Sequence, residues 1–217
     1  MNKFLVTASL LCLTASAAFA ASAPTAATII TSDQVQKVLK LGAKETDHTI
    51  KVIDMGQGYQ MSVAVVHRGA TAAPSTRTPE QIAAAAAANA KLKDCGVATP
   101  IGSNASPMKG GMLSHDFTPE TYIIIKGAGT LVTGGKILKG KQAAADNEMV
   151  TTLNGPSCTG QVTGDFISTD VKVGDIIVVP AGVPHGWSKI ADMVDYLSIR
   201  PDPKHVLPKA GFQYPGL

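Results

Sequence analysis

Beyond residue 20 the chain holds no apolar run long enough to cross a bilayer, so no membrane-spanning helix is expected there. Charge is sparse and nearly balanced, with 19 Lys and Arg against 16 Asp and Glu for a formal +3. No cluster of Lys and Arg interleaved with aromatics occurs, and there is only one tryptophan, so a nucleic-acid partner is not expected. Internal repeats and a second composition regime are both lacking, which leaves a single domain as the simplest organisation. Cysteine is scarce too: Cys12, Cys95 and Cys158 are the three.

What is present begins with an address. Met1-Asn2-Lys3, the apolar stretch from Phe4 to Leu13 and Ala18-Phe19-Ala20 form a charged, an apolar and a cleavage region in the order of a secretory signal peptide. Cleavage after Ala20 and export, to a periplasm or beyond, are expected. Leu10 and Leu11 stand before Cys12 where a lipidation site needs small residues, so a lipid anchor is not expected. Cys95 and Cys158 remain after cleavage. In an oxidising compartment they permit one disulfide, and a free buried pair is the alternative.

Thr31-Ser32-Asp33 opens a short helix with Val35, Val38 and Leu39 on one face, ending near Gly42 and expected to brace the domain. Strands are expected over 48–54 and 59–68, around Gly56-Gln57-Gly58. Thr78-Pro79-Glu80-Gln81 combines an N-cap, a proline at the first helical position and a capping-box glutamine, predicting a surface helix through about Lys93. From Leu113 the reading is all-β, with short strands over 122–125, 129–132, 165–171, 175–179 and 193–199. Turns are expected at Gly134-Gly135 and Gly160, an inserted loop over 139–160, and an irregular tail from Pro201.

The most informative segment is Gly174-Asp-Ile-Ile-Val-Val-Pro-Ala-Gly-Val-Pro-His185, a β-branched strand stopped by Pro180, Gly182 and Pro184 that presents one histidine past a rigid corner. Its Gly-x5-Pro-x-Gly-x2-His spacing resembles the second motif of the cupin family, small β-barrels whose mouth usually holds a metal. The first motif is there in part: Glu120-x6-Gly127 matches, and His115 stands at the family's second histidine. Leu113 occupies the first histidine position, Pro107 the opening glycine, and Lys189 a position often taken by asparagine. The resemblance implies a single cupin-type barrel, a double-stranded β-helix or jelly roll with short peripheral helices. Residues 21–217 would form that domain, with a barrel core over about 47–200 and a helical insertion over about 69–112. It also implies one divalent ion held by His115, Glu120 and His185, with Fe, Mn, Ni and Zn not distinguished, and pairing into homodimers. Two imidazoles and one carboxylate with open positions suit Fe(II) best among these.

Side-chain alternation supports part of this set independently. In a strand starting at Glu120, Glu120, Tyr122 and Ile124 share one face, so the carboxylate points among apolar neighbours and needs a cation or imidazoles beside it. A buried Glu-His pair without metal is the alternative. His67, on the phase of Met61, Val63 and Val65, is a weaker candidate for a further ligand or general base, although a core histidine answers the same pattern. Tyr122 is a weak candidate to offer its phenol to a substrate or metal-bound ligand, against a packed aromatic; Trp187 could cap the mouth, against the commoner reading of a packed tryptophan. Arg68 and Arg200 could take a carboxylate substrate, against the reading of solvated or ion-paired strand ends. Two functions follow: a metal-dependent enzyme of oxygenase or isomerase type acting on a small organic molecule, or a non-catalytic module that binds or senses one through a degenerate metal site.

Overall fold

The computed structural model describes residues 24–41, 47–56, 58–73, 77–102 and 108–217; the leader expected over 1–20 lies outside the described residues. Two antiparallel sheets share one long strand. The first contains β1 (Asp47–Asp54), β2 (Gln60–Gly69), β9 (Met193–Asp202), the start of β5 (Glu120–Gln142) and β7 (Ile176–Val179). The second contains β3 (Asp94–Cys95), the remainder of β5, β6 (Ser157–Lys172), β4 (Met108–His115) and β8 (His185–Lys189). The result is an all-β barrel of two antiparallel sheets, the fold class expected from the sequence.

β5 is where the expectation and the fold part. Two short strands and a turn at Gly134-Gly135 were anticipated, yet β5 runs unbroken for 23 residues and pairs with β9 and β7 before passing to β6 and β8. The two glycines form a bulge at which the β5–β6 arm bends. Gly135 has φ 72°, and a Cβ there would lie 2.6 Å from the carbonyl oxygen of Thr163. Gly160 likewise lies inside β6. The loop expected over 139–160 shrinks to a short connection with a π-helical turn, Val150–Asn154, because Val150 and Leu153 are buried. At Gly127, φ is 72° and a Cβ would meet the Met193 carbonyl oxygen at 1.9 Å, so the motif glycine permits the close approach of β9.

Helix α1 (Ser32–Leu41) buries Val38 against Ile50 and Val65 on the outer face of the first sheet, the bracing role expected. Helix α2 (Pro79–Ala90) has the reciprocal Thr78–Gln81 cap, ends at Ala90 rather than Lys93, and buries no side chain. The tail is irregular but bonded: Val52 N donates to Phe212 O at 2.9 Å and Tyr214 N to Ile50 O at 2.8 Å, covering the outer edge of β1. Cys95 and Cys158 form a disulfide that ties β3 to the start of β6.

The barrel interior is built by Val66, Tyr122, Ile124, Leu131, Val194 and Tyr196, all essentially buried. A second apolar cluster of Met112, Val132, Ile137, Cys158 and Val162 fills the space under β3 and β4. Between these layers the inward row of β9 turns polar, with Ser198, Arg200 and Asp202 all buried beside Glu120 and Gln60.

Candidate metal centre

Three strand ends converge. His115 closes β4, Glu120 opens β5 and His185 opens β8, and their side chains are 2%, 1% and 2% exposed. The Pro180-Ala181-Gly182-Val183 corner fixes the last of these: Gly182, at φ 79°, donates its N–H to the His115 carbonyl at 2.7 Å, while Val183 O accepts from His185 Nδ1 at 2.9 Å. The motif turn therefore orients one histidine and docks on the backbone of the other.

Glu120 Oε2 lies 3.1 Å from Nε2 of His115 and 3.1 Å from Nε2 of His185. One ligand atom from each of the three residues can be chosen so that all lie within 4.8 Å of one another. The far side of each group is held separately. His115 Nδ1 is 2.9 Å from Ser157 Oγ, which also lies 2.9 Å from the Gly155 carbonyl oxygen. Glu120 Oε1 accepts from Ser198 Oγ at 2.8 Å and from Arg200 Nη2 at 2.5 Å. His115 Nε2 is hydrogen-bonded to Glu120 Oε2, and with its proton moved to Nδ1 that nitrogen would offer a lone pair instead; His185 Nδ1–H, held by Val183 O, leaves its Nε2 with a lone pair when the ring is neutral. His185 Nε2 makes no hydrogen bond despite its proximity to the carboxylate.

Electrostatics keep His115 neutral and Glu120 ionised. Burial and the Arg200 charge push His115 down to about 3, so its ring is neutral. For Glu120 burial opposes ionisation, but Arg200 and the two imidazoles outweigh it and hold the carboxyl well below its usual range. Two imidazole nitrogens and an ionised oxygen drawn together here form a donor set for a divalent cation once the His115–Glu120 hydrogen bond is displaced, with hydrogen-bonded partners behind each.

The weaker candidates fall in different places. Tyr122 is buried on the face of Glu120, as its phase predicts; its ring lies 6.0 Å from that of His185 and 4.2 Å from that of Tyr196. Burial raises its phenol well above the ordinary value. His67 does not join the site: it is half-buried, with Nδ1 2.6 Å from Asp195 Oδ1. Its phase belongs to the outer face of the first sheet, where Val65 is apolar because α1 covers it; the inward row of β2 is Gln60, Ser62, Ala64 and Val66. Arg68 pairs with Asp47 at 2.7 Å, and Trp187 packs against the interior cluster. Leu113 shares the phase of His115 and stands opposite His185 in the β4–β8 register.

Arg200 is ion-paired, one of the roles expected for it, but with Glu120 at the centre of the site and 3% exposed rather than at a solvated strand end. Its Nε donates to Ser198 Oγ at 2.9 Å, and its Nη1 donates to Asn154 Oδ1. Ser157, Ser198 and Asn154 went unrecognised in the sequence. The one available signal was the β9 row Val194, Tyr196, Ser198, Arg200, which carries a cation inward.

Neither any family model nor any curated protein matches this chain. Solved structures that resemble it include a Bacillus halodurans protein at 9% identity and a TM-score of 0.36, covering 88% of this chain and 92% of that one. Another is a Klebsiella pneumoniae protein with a double-stranded β-helix domain, at 14% identity and a TM-score of 0.30, covering 72% and 79%. An oxalate oxidase matches at 14% identity and a TM-score of 0.30 over 77% of this chain and 55% of its own.

Proposed function

We propose that this protein is an exported cupin that binds one divalent metal ion through His115 Nε2, Glu120 Oε2 and His185 Nε2 and acts on, or binds, a small organic molecule there. The observation that carries the reading is the unbonded His185 Nε2, buried and aimed with His115 Nε2 at an ionised carboxylate oxygen while every rear-facing atom is tied. A cation entering between the three atoms would displace the proton that His115 Nε2 shares with Glu120 Oε2 and would give the unbonded His185 Nε2 a partner. The ion would supply Lewis acidity at an open coordination position. Tyr122, on the same inward face, would present its neutral phenol to a bound molecule.

Export is supported by the leader sequence and by the Cys95–Cys158 disulfide, a bond that persists in oxidising compartments. Association of two copies would use β7, which pairs only with β5 and turns Ile176 and Val178 outward, since the tail occupies the edge of β1. No described helix is long and apolar enough to cross a membrane.

A second reading, a binding module without metal, is favoured by the Arg200–Glu120 ion pair, which already compensates the buried carboxylate. Metal content decides between them. The protein, purified from a periplasmic extract without a metal-affinity tag, is assayed for metal per chain. Near-stoichiometric iron, manganese, nickel or zinc is expected; a metal-free protein that also refuses added metal would establish the second reading.

A further inference from the structure

We infer that Arg200 makes the centre a joint cation-and-anion site, so that the molecule it takes is a small anion, a carboxylate in the simplest case. The inference rests on the metal reading above and follows from counting charge. Glu120 brings −1 and Arg200 brings +1 at 2.5 Å, both essentially buried, and the ligating imidazoles are neutral. The protein's own groups therefore sum to zero. A divalent ion entering them keeps its whole +2 in a place where water cannot screen it, and an uncompensated buried charge is expensive.

Among the described residues, the side chains that hydrogen-bond the cluster besides Arg200 are Ser157, Ser198 and, through Arg200, the Asn154 amide, none of them an anion. Arg200 also fixes how the carboxylate can serve. It shares Oε1 with Ser198 and is itself held by Asn154 and Ser198, so only Oε2 is left for the ion. A second carboxylate oxygen that could neutralise more of the charge is thus withheld, and coordination positions stay open. An incoming anion supplies both the missing charge and a further donor. Cation and anion should accordingly bind with positive coupling, each strengthening the other by the same factor.

The test is a Zn2+ titration by calorimetry in a buffer of bulky, non-coordinating anions, with and without saturating formate, at matched free Zn2+. Wild type is expected to bind Zn2+ about tenfold or more tightly with formate, within the range usual for coupled sites. Arg200→Gln, which keeps a hydrogen-bonding side chain but removes the charge, should lose most of that enhancement, and Arg200→Lys should recover part of it. Tight Zn2+ binding by wild type that is indifferent to formate overturns the inference and leaves the metal reading standing, whether or not the variants fold. Equal enhancement in folded Arg200→Gln overturns it also. Wild type that takes no Zn2+ under either condition overturns both.

Discussion

Ser157 Oγ lies 2.9 Å from His115 Nδ1 and belongs to the residue preceding Cys158, which is bonded to Cys95. The orientation of one metal-facing histidine thus depends on the start of a strand that the disulfide pins. Ser157→Ala removes the hydroxyl that holds His115 Nδ1 and fixes the tilt of the ring. We expect Zn2+ affinity to fall about 10- to 100-fold, as when supporting contacts of metal ligands are lost, with only about 1–2 kcal/mol lost from folding. Calorimetric titration beside a thermal melt separates the two effects.

The ligand set itself is tested by retention. Glu120→Ala and His185→Ala should each return metal-free protein after dialysis, because each deletes one of only three donors. His67→Ala should keep its metal, since His67 faces the outer surface and bonds Asp195. Equal metal content in all three variants would mean that the ion sits elsewhere.

Legibility in the sequence followed the range of the interaction. The α2 cap was readable because Thr78 and Gln81 lie three residues apart, and the inward phase of Glu120 and Tyr122 because strand alternation is local. His185 and its corner were likewise written in one stretch of twelve residues. The continuity of β5 was not, since Gly134-Gly135 reads as a turn until β6 is placed against it. The phase of His67 points the wrong way in the sequence because the outward row of β2, Met61, Val63 and Val65, is apolar where α1 packs on it, while the inward row carries the polar Gln60 and Ser62. The Arg200–Glu120 pair spans 80 residues of sequence and leaves no local trace.

Acid should destabilise the metal-free protein. In the folded state His115 is pushed down to about 3 from 6.5, and Glu120 lies well below 4.5, so the unfolded chain binds more protons than the folded one below about pH 6.5. Stability contributed by these groups is therefore fully present above that value and is lost as pH falls toward about 3. Protons compete with the cation for the same atoms, so bound Zn2+ should shift the acid transition lower. Urea melts across this range, with and without Zn2+, read the sign directly; stability that rises on acidification would contradict the assignment.

Reduction of Cys95–Cys158 removes a link across 63 residues of sequence. Chain-entropy arguments put its stabilisation at about 4 kcal/mol. Thermal melts with and without reductant should differ accordingly, and the double Cys95→Ala/Cys158→Ala variant should match the reduced protein. Because Ser157 adjoins Cys158, the same variant should also bind Zn2+ more weakly than wild type while remaining folded.

Leu113 offers the opposite kind of test, a gain. It stands two residues before His115 on the same strand phase and directly across from His185, and it occupies the place of the histidine missing from the first motif. Leu113→His would bring a third imidazole to the inward row at little change in volume. A fourth donor closes one open position, so Zn2+ should bind about tenfold or more tightly, comparable to what a supporting contact contributes to a metal site. The same change should weaken the formate enhancement, because the anion would then compete with the new imidazole for space. Competition titration against a chromophoric chelator measures the first effect and its formate dependence the second. Unaltered Zn2+ affinity in a folded Leu113→His protein would show that this row of β4 does not face the ion, and the arrangement of the three proposed ligands around it would have to be redrawn.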